Sequence, residues 1–131
     1  MHIRKALPSD GPAIRKINAS SLGYGDYPSE KAQQDLEYLL ENPFYQVFVA
    51  EADGEIVGYV NASDYRTAYM PPMKNLLALA ILPERQGCGC GAALLARVED
   101  WAREDGCHGI RLVSGHNRAG AHAFYERQGY T

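Results

Sequence analysis

Residues 75–95 read NLLALAILPERQGCGCGAALL, with glycines at 87, 89 and 91 between an apolar run, residues 76–82, and an Ala/Leu-rich segment. Glycine has no Cβ, so the backbone across these positions can turn its N–H groups toward one point and let a ligand come close. A helix opening at the end of such a loop adds unpaired N–H groups and the positive end of its dipole. The chemistry predicted is anion binding, with phosphate as the expected anion.

Several phosphate ligands compete for a loop of this kind. A nucleotide-hydrolysing loop needs Gly-Lys followed by Ser or Thr, and no lysine occurs from Asn75 to the C-terminus, which disfavours ATP and GTP. A dinucleotide fold needs G-x-G-x-x-G near the start of a βαβ unit and an acidic residue ending the next strand. Here the spacing is G-x-G-x-G in mid-chain, and the next apolar run ends in Ser114 and Gly115, which disfavours NAD.

The segment Gln86-Gly87-Cys88-Gly89-Cys90-Gly91 resembles the Gln/Arg-x-x-Gly-x-Gly/Ala signature of the GNAT superfamily of acetyl-CoA-dependent N-acetyltransferases. The likeness extends to Leu-Pro-Glu before the loop, Ala-Leu-Leu after it, and a second block of the form N-R-x-x-A-H-x-F-Y-x-x-x-G-Y over residues 117–130. It implies acetyl-CoA as cosubstrate, held by Gln86, Gly87, Cys88, Gly89, Cys90, Gly91 and Ala92 around the pyrophosphate. It also implies that the pantetheine arm lies along Leu79, Ala80 and Ile81, and that Asn117 and Tyr125 face it. Tyr125 matches the family tyrosine near the CoA sulfur; a phenol of pKa about 10 is protonated at neutral pH and can pass its proton to a departing thiolate. Asn117 also has a capping role open to it, and His122, three residues before Tyr125, shares its helix face.

Acetyl transfer to an amine needs a fixed carbonyl, a neutral nucleophile and a proton for the leaving group. The likeness implies an acceptor site between loops at residues 21–28 and 64–73. These bring Tyr24, Tyr27, Asp64 and Tyr65 as acceptor-binding candidates, since aromatics beside acids suit a cationic amine. Small-molecule and peptide amines both remain open. Asp64, Glu51 and His116 are the candidate bases. Without a clear base, a non-catalytic acyl-CoA sensor is the rival function.

The elements that must position these groups follow from pattern. Residues 2–6 alternate as a first strand, and Pro8-Ser9-Asp10 opens a helix with Ser9 or Asp10 as N-cap and Ile14 and Ile17 on one face. Residues 21–28 form a loop; a second helix from Ser29 puts Leu36, Leu39 and Leu40 on one side and stops at Asn42-Pro43. Residues 44–52 and 55–62 read as a hairpin around Asp53-Gly54. A loop over residues 64–73, a central strand over 74–82 buried on both faces, a helix from Gly89 to Asp105, a parallel strand over 110–114 and a last helix from Asn117 complete the chain.

The expected fold is a single α/β (α+β) domain over residues 1–131, ordered β-α-α-β-β-β-α-β-α, with splayed central parallel strands. The family's final strands are apparently missing or truncated. An uncovered edge invites pairing with another copy, so a homodimer is a candidate assembly. A net charge of -3 argues against a nucleic-acid partner, and no apolar run reaches a membrane span. The N-terminus lacks a secretory apolar core and the three cysteines suit a reducing compartment, so the expected location is cytoplasmic. Cys88 and Cys90 lack two nearby partner ligands, so no metal is expected.

Overall fold

The computed structural model describes residues 1–112, in which five strands form one sheet of order β1-β2-β3-β4-β5. The strands are β1 His2–Lys5, β2 Tyr45–Ala52, β3 Glu55–Tyr65, β4 Met73–Ile81 and β5 Ile110–Leu112. Neighbours from β1 to β4 run antiparallel, and β5 lies parallel to β4. The β2–β3 turn is Asp53-Gly54 with φ of 54° and 77°; two left-handed residues make the type of turn that follows strand twist.

Three α-helices, α1 Gly11–Ile17, α2 Ser29–Glu41 and α3 Cys90–Glu104, cover the sheet. Adjacent residues of β3 show how they divide. Tyr59 hydrogen-bonds Asn18 at the end of α1, whereas a Cβ on Gly58 would meet the Cys90 thiol of α3. Successive strand residues point to opposite faces, so α1 and α3 pack on opposite sides. Leu94, Leu95, Val98, Trp101 and Ala102 are buried along α3, on the stripe that its 3.6-residue period predicts. They close the core with Phe48, Val60, Ala62 and Leu76.

Several local expectations are corrected. Asp10 stands at the N-cap of α1 as expected, but its side chain does not bond that helix: the carboxylate accepts from the Leu7 amide at 2.7 Å and from Arg4 at 2.8 and 3.0 Å, closing a 3-10 turn, Pro8–Asp10, ahead of it. Residues 21 and 22 are not loop; a π-helical turn, Asn18–Leu22, prolongs α1 until Gly23, φ 77°, ends it. Asp64 and Tyr65 belong to β3 rather than to the following loop. The central strand is also not buried on both faces throughout, since Leu77 is 45% exposed. The expected last helix and the far end of the expected strand over 110–114 lie outside the described residues.

Leu77 owes its exposure to a bulge. Asn61 pairs with Ala78 and Ala62 with Leu76, leaving Leu77 as one extra residue on β4. A single extra residue shifts the side-chain alternation by one. Lys74 and Leu76 therefore share the face of Ala62, whereas Ala78 and Ala80 share the face of Asn61 and Tyr59.

Candidate active site

Within the described residues β4 and β5 pair over Lys74–Ile110, Asn75–Arg111 and Leu76–Leu112. The Leu82 amide donates to the Val57 carbonyl at 2.9 Å, so the two-residue period turns the N–H and C=O of Ile81 and Leu79 to the opposite edge of β4. The Ile81 carbonyl on that edge accepts from Ser21 Oγ at 2.6 Å. The strand predicted to guide a pantetheine arm thus has backbone groups directed away from β3 along Leu79 and Ile81, with Ala80 between them. An extended chain can add to such an edge by main-chain hydrogen bonds.

Immediately after β4, a 3-10 turn, Pro83–Arg85, leads into the glycine loop. Gly87 and Gly89 have φ of 84° and 85°, and no atom lies within 4 Å of where a Cβ would stand at either. Their glycines answer a conformational need rather than a crowded one. Gly89 is the N-cap of α3, and the first helical bond runs from the Ala93 amide to its carbonyl at 3.1 Å. The amides of Cys90, Gly91 and Ala92 precede that bond and are available to an anion. This fits a pyrophosphate: positive helix end, open loop flanks, and Gln86 and Cys88 exposed beside them.

The two loop thiols differ. Cys88 is exposed and Cys90 buried. Burial, with a smaller contribution from the Cys88 thiol, pushes the Cys90 thiol up to about 11, against the lowering a helix N-terminus would give. Its sulfur packs beneath the loop, where a Cβ on Gly58 would lie 3.0 Å from Cys90 Sγ, 2.6 Å from Ile81 Cδ1 and 3.1 Å from the Ala80 carbonyl. Gly58 therefore lets α3 sit close to the sheet. Among the described residues no three His, Cys, Asp or Glu side chains gather as a metal site, and no helix is long and apolar enough to cross a membrane.

On the opposite face lie two adjoining cavities of about 160 and 190 Å³, sharing Arg15, Asn18, Tyr27 and Ala32. Tyr24 lines the outer one and Tyr59 and Asn61 the inner one. Tyr27 donates to the Asp35 carboxylate at 2.5 Å. The structure thus brings Tyr24 and Tyr27 together. It does not bring Asp64 to them: its carboxylate accepts from Lys74 at 3.3 Å and Arg66 at 3.0 Å, on the sheet face that carries α3. Tyr65 lies on the cavity's face but at the far end of β3, under the Arg111 guanidinium at 4.3 Å. Glu51 accepts from Arg4 at 3.4 Å. Asn117, Tyr125, His116 and His122 lie outside the described residues.

Arg15, Asn18, Tyr59 and Asn61 were not among the expected site residues. Asn61 carried a signal, a polar side chain amid the apolar alternation of β3. Arg15 carried none, since one charge on a helix is usually a solvated face.

Comparison with known proteins agrees with this geometry. Residues 12–130 match the Acetyltransferase (GNAT) family. An uncharacterized N-acetyltransferase of Bacillus subtilis (strain 168), YhfO, is 29% identical, over 99% of this chain and 89% of its own. Aminoglycoside N(6')-acetyltransferase type 1 of Stenotrophomonas maltophilia is 32% identical, over 98% of this chain and 84% of its own. The structure of aminoglycoside N-acetyltransferase AAC(6')-Iy in complex with CoA superposes with a TM-score of 0.87 at 20% identity, covering 99% of this chain and 87% of that one. With a glycine loop at a helix start just past β4 of a mixed sheet, and a family match spanning most of its length, the chain belongs to the GNAT family of acetyltransferases.

Proposed function

We propose that this enzyme moves an acetyl group from acetyl-CoA to a primary amine of a small molecule by direct attack within a ternary complex. The observation that carries the reading is the glycine loop that opens α3 just past the end of β4, whose Leu79 and Ile81 backbone groups turn away from β3. In our reading the amides of residues 87–92 hold the pyrophosphate, and the edge at Leu79, Ala80 and Ile81 aligns the arm. When bound, acetyl-CoA supplies an activated thioester carbonyl. The acceptor nitrogen forms a bond to that carbon, the C–S bond breaks, and Tyr125 gives its phenolic proton to the departing sulfur. Asn117 steadies the arm beside it.

Arg66 and Lys74 outweigh burial and hold the Asp64 carboxyl below its usual range, so it accepts a proton poorly, and Glu51 is turned to Arg4. We therefore assign deprotonation of the acceptor to water in the cleft. Tyr24 and Tyr27 form the acceptor's aromatic wall in this reading, and Asp64 and Tyr65 are left out of it. A small-molecule amine is favoured because the aromatic pair lines small, half-open cavities of about 160 and 190 Å³, and an aminoglycoside N-acetyltransferase is among the relatives.

Titration calorimetry with CoA, followed by CoA release from acetyl-CoA across a panel of amines, tests the reading. Heat on CoA injection and amine-dependent release are expected. Binding without release for any amine would remove the transfer reaction, and absence of heat would remove the cofactor. Tyr125→Phe should lower kcat about 100-fold while leaving CoA heat unchanged; full retained turnover would exclude the phenol as acid.

A further inference from the structure

The cavities between α1, α2 and the sheet contain a cation, Arg15, that no described residue pairs; the Asp35 carboxylate lining the inner one accepts from Tyr27 instead. Each of the other described arginines has an oxygen partner: Arg4 with Asp10 and Glu51, Arg66 with Asp64, Arg85 with Asp53, Arg97 with Glu104, Arg103 with Asp100, and Arg111 with Asn75. Arg15 lines both cavities, its Nε is buried, and among the described residues it has neither a hydrogen bond nor an ion pair. The residue as a whole is half-buried, but its Nε is a donor that neither water nor a described acceptor reaches. The planar guanidinium matches a carboxylate, which takes two parallel N–H bonds from it.

The inner cavity holds a second unpartnered group of opposite character. Asn61 Oδ1 is buried and accepts no hydrogen bond, so it calls for a donor. A molecule with an anionic end for Arg15 and an N–H end for Asn61 answers both. A polyamine offers donors only and brings its charges against the guanidinium. Asn61 pairs with Ala78, the residue after the bulge at Leu77, and neighbouring strands lie about 5 Å apart. A molecule anchored at Arg15 and passing Asn61 thus has its amine one strand from the edge of β4 to which Leu79 and Ile81 turn their backbone groups. Tyr24 and Tyr27 line the outer chamber beside Arg15, where their ring faces can meet an ammonium group.

We propose that this cavity receives the carboxylate end of the acyl acceptor, with Arg15 as the residue that reads it, so that the favoured acceptors are amino acids whose amine lies several bonds from the carboxylate. The inference rests on the transfer reaction proposed above and narrows its substrate class away from polycationic amines.

The test uses matched pairs differing only in the carboxylate: γ-aminobutyrate against propylamine, and L-lysine against cadaverine. The expected result is a KM at least tenfold lower for each carboxylated member. Arg15→Gln should reduce that preference below twofold by raising KM for the carboxylated member, and Arg15→Lys should recover part of it. CoA calorimetry verifies that each variant is folded. Equal or better use of propylamine and cadaverine by the wild type overturns the proposal, as does an Arg15→Gln effect equal on both members of a pair. Calorimetric binding of the same four compounds to CoA-loaded protein separates the two readings. A carboxylate preference in binding without turnover keeps this inference and removes the transfer reaction; no preference in either assay removes the inference.

Discussion

Ser21 Oγ donates to the Ile81 carbonyl at 2.6 Å across 60 residues of chain. The bond ties the π-helical turn after α1 to the last residue of β4, and so ties the loop carrying Tyr24 and Tyr27 to the strand that precedes the glycine loop. A bond of this kind contributes about 1 kcal/mol net, and leaving its acceptor unpaired can cost somewhat more. Ser21→Ala should lower stability by about 1 kcal/mol in urea titrations and raise KM for the amine several-fold. Unchanged values for both would mean that the two regions are positioned independently.

Gly87 and Gly89 are left-handed with open space around the missing Cβ, so replacing them costs conformational energy and little else. Alanine at either position should lose roughly 1–2 kcal/mol of stability and weaken CoA binding as the loop amides turn away. Gly106 supplies the control: it too is left-handed, φ 67°, with nothing within 4 Å, but lies past the opposite end of α3. Gly106→Ala should lose similar stability and keep CoA affinity. Equal loss of affinity in all three variants would show that the effect is global softening.

The thiols of the loop offer a chemical footprint. Cys88 is exposed, while Cys90 is buried with its thiol pushed up to about 11 by that burial and by Cys88. Iodoacetamide at pH 8 should modify Cys88 in the folded protein and reach Cys90 only on unfolding. CoA should slow the Cys88 reaction. Peptide mass spectrometry reads both sites, and rapid Cys90 labelling in native protein would contradict its placement under the loop.

At the other end of the sheet, Lys74 is fully buried, with Nζ 2.6 Å from Asp105, 3.3 Å from Asp64 and 3.7 Å from the centre of the Trp101 ring. It fastens β4 to the end of α3 and to β3. Lys74→Met should cost about 3 kcal/mol, near the low end for a broken buried pair because both carboxylates can still reach water. CoA affinity should change little in protein that remains folded.

Acid should unfold the protein through the carboxylates held by cations. The Arg4 hydrogen bond, against opposing burial, holds Asp10 below the usual range; at Asp64 burial pushes upward but Arg66 and Lys74 together outweigh it. A carboxylate with its folded pKa below the unfolded value of about 4 stabilises above pH 4, and that stability is lost as pH falls through the folded value. Urea midpoints should therefore drop below about pH 4. Asp10→Asn should be less stable at pH 6 and show a shallower acid drop. A drop as steep as in the wild type would place the acid sensitivity elsewhere.

Local pattern determined a good deal of this protein. The Asp53-Gly54 hairpin, the buried stripe of α3 and the left-handed glycine loop that opens α3 each follow from backbone freedom or side-chain period, which act over a few residues and need no knowledge of the fold. Tertiary structure decided what lies across the chain. One extra residue, Leu77, moves Ala78 and Ala80 to the face of Asn61; Lys74 captures Asp64, which by composition alone looked available to an amine; and Arg15 lines a cavity whose one acid, Asp35, is held by the Tyr27 hydroxyl instead. Pairing, burial and register depend on residues tens of positions apart, so the same aspartate or arginine reads alike in sequence whether solvent, a lysine or a ligand completes it.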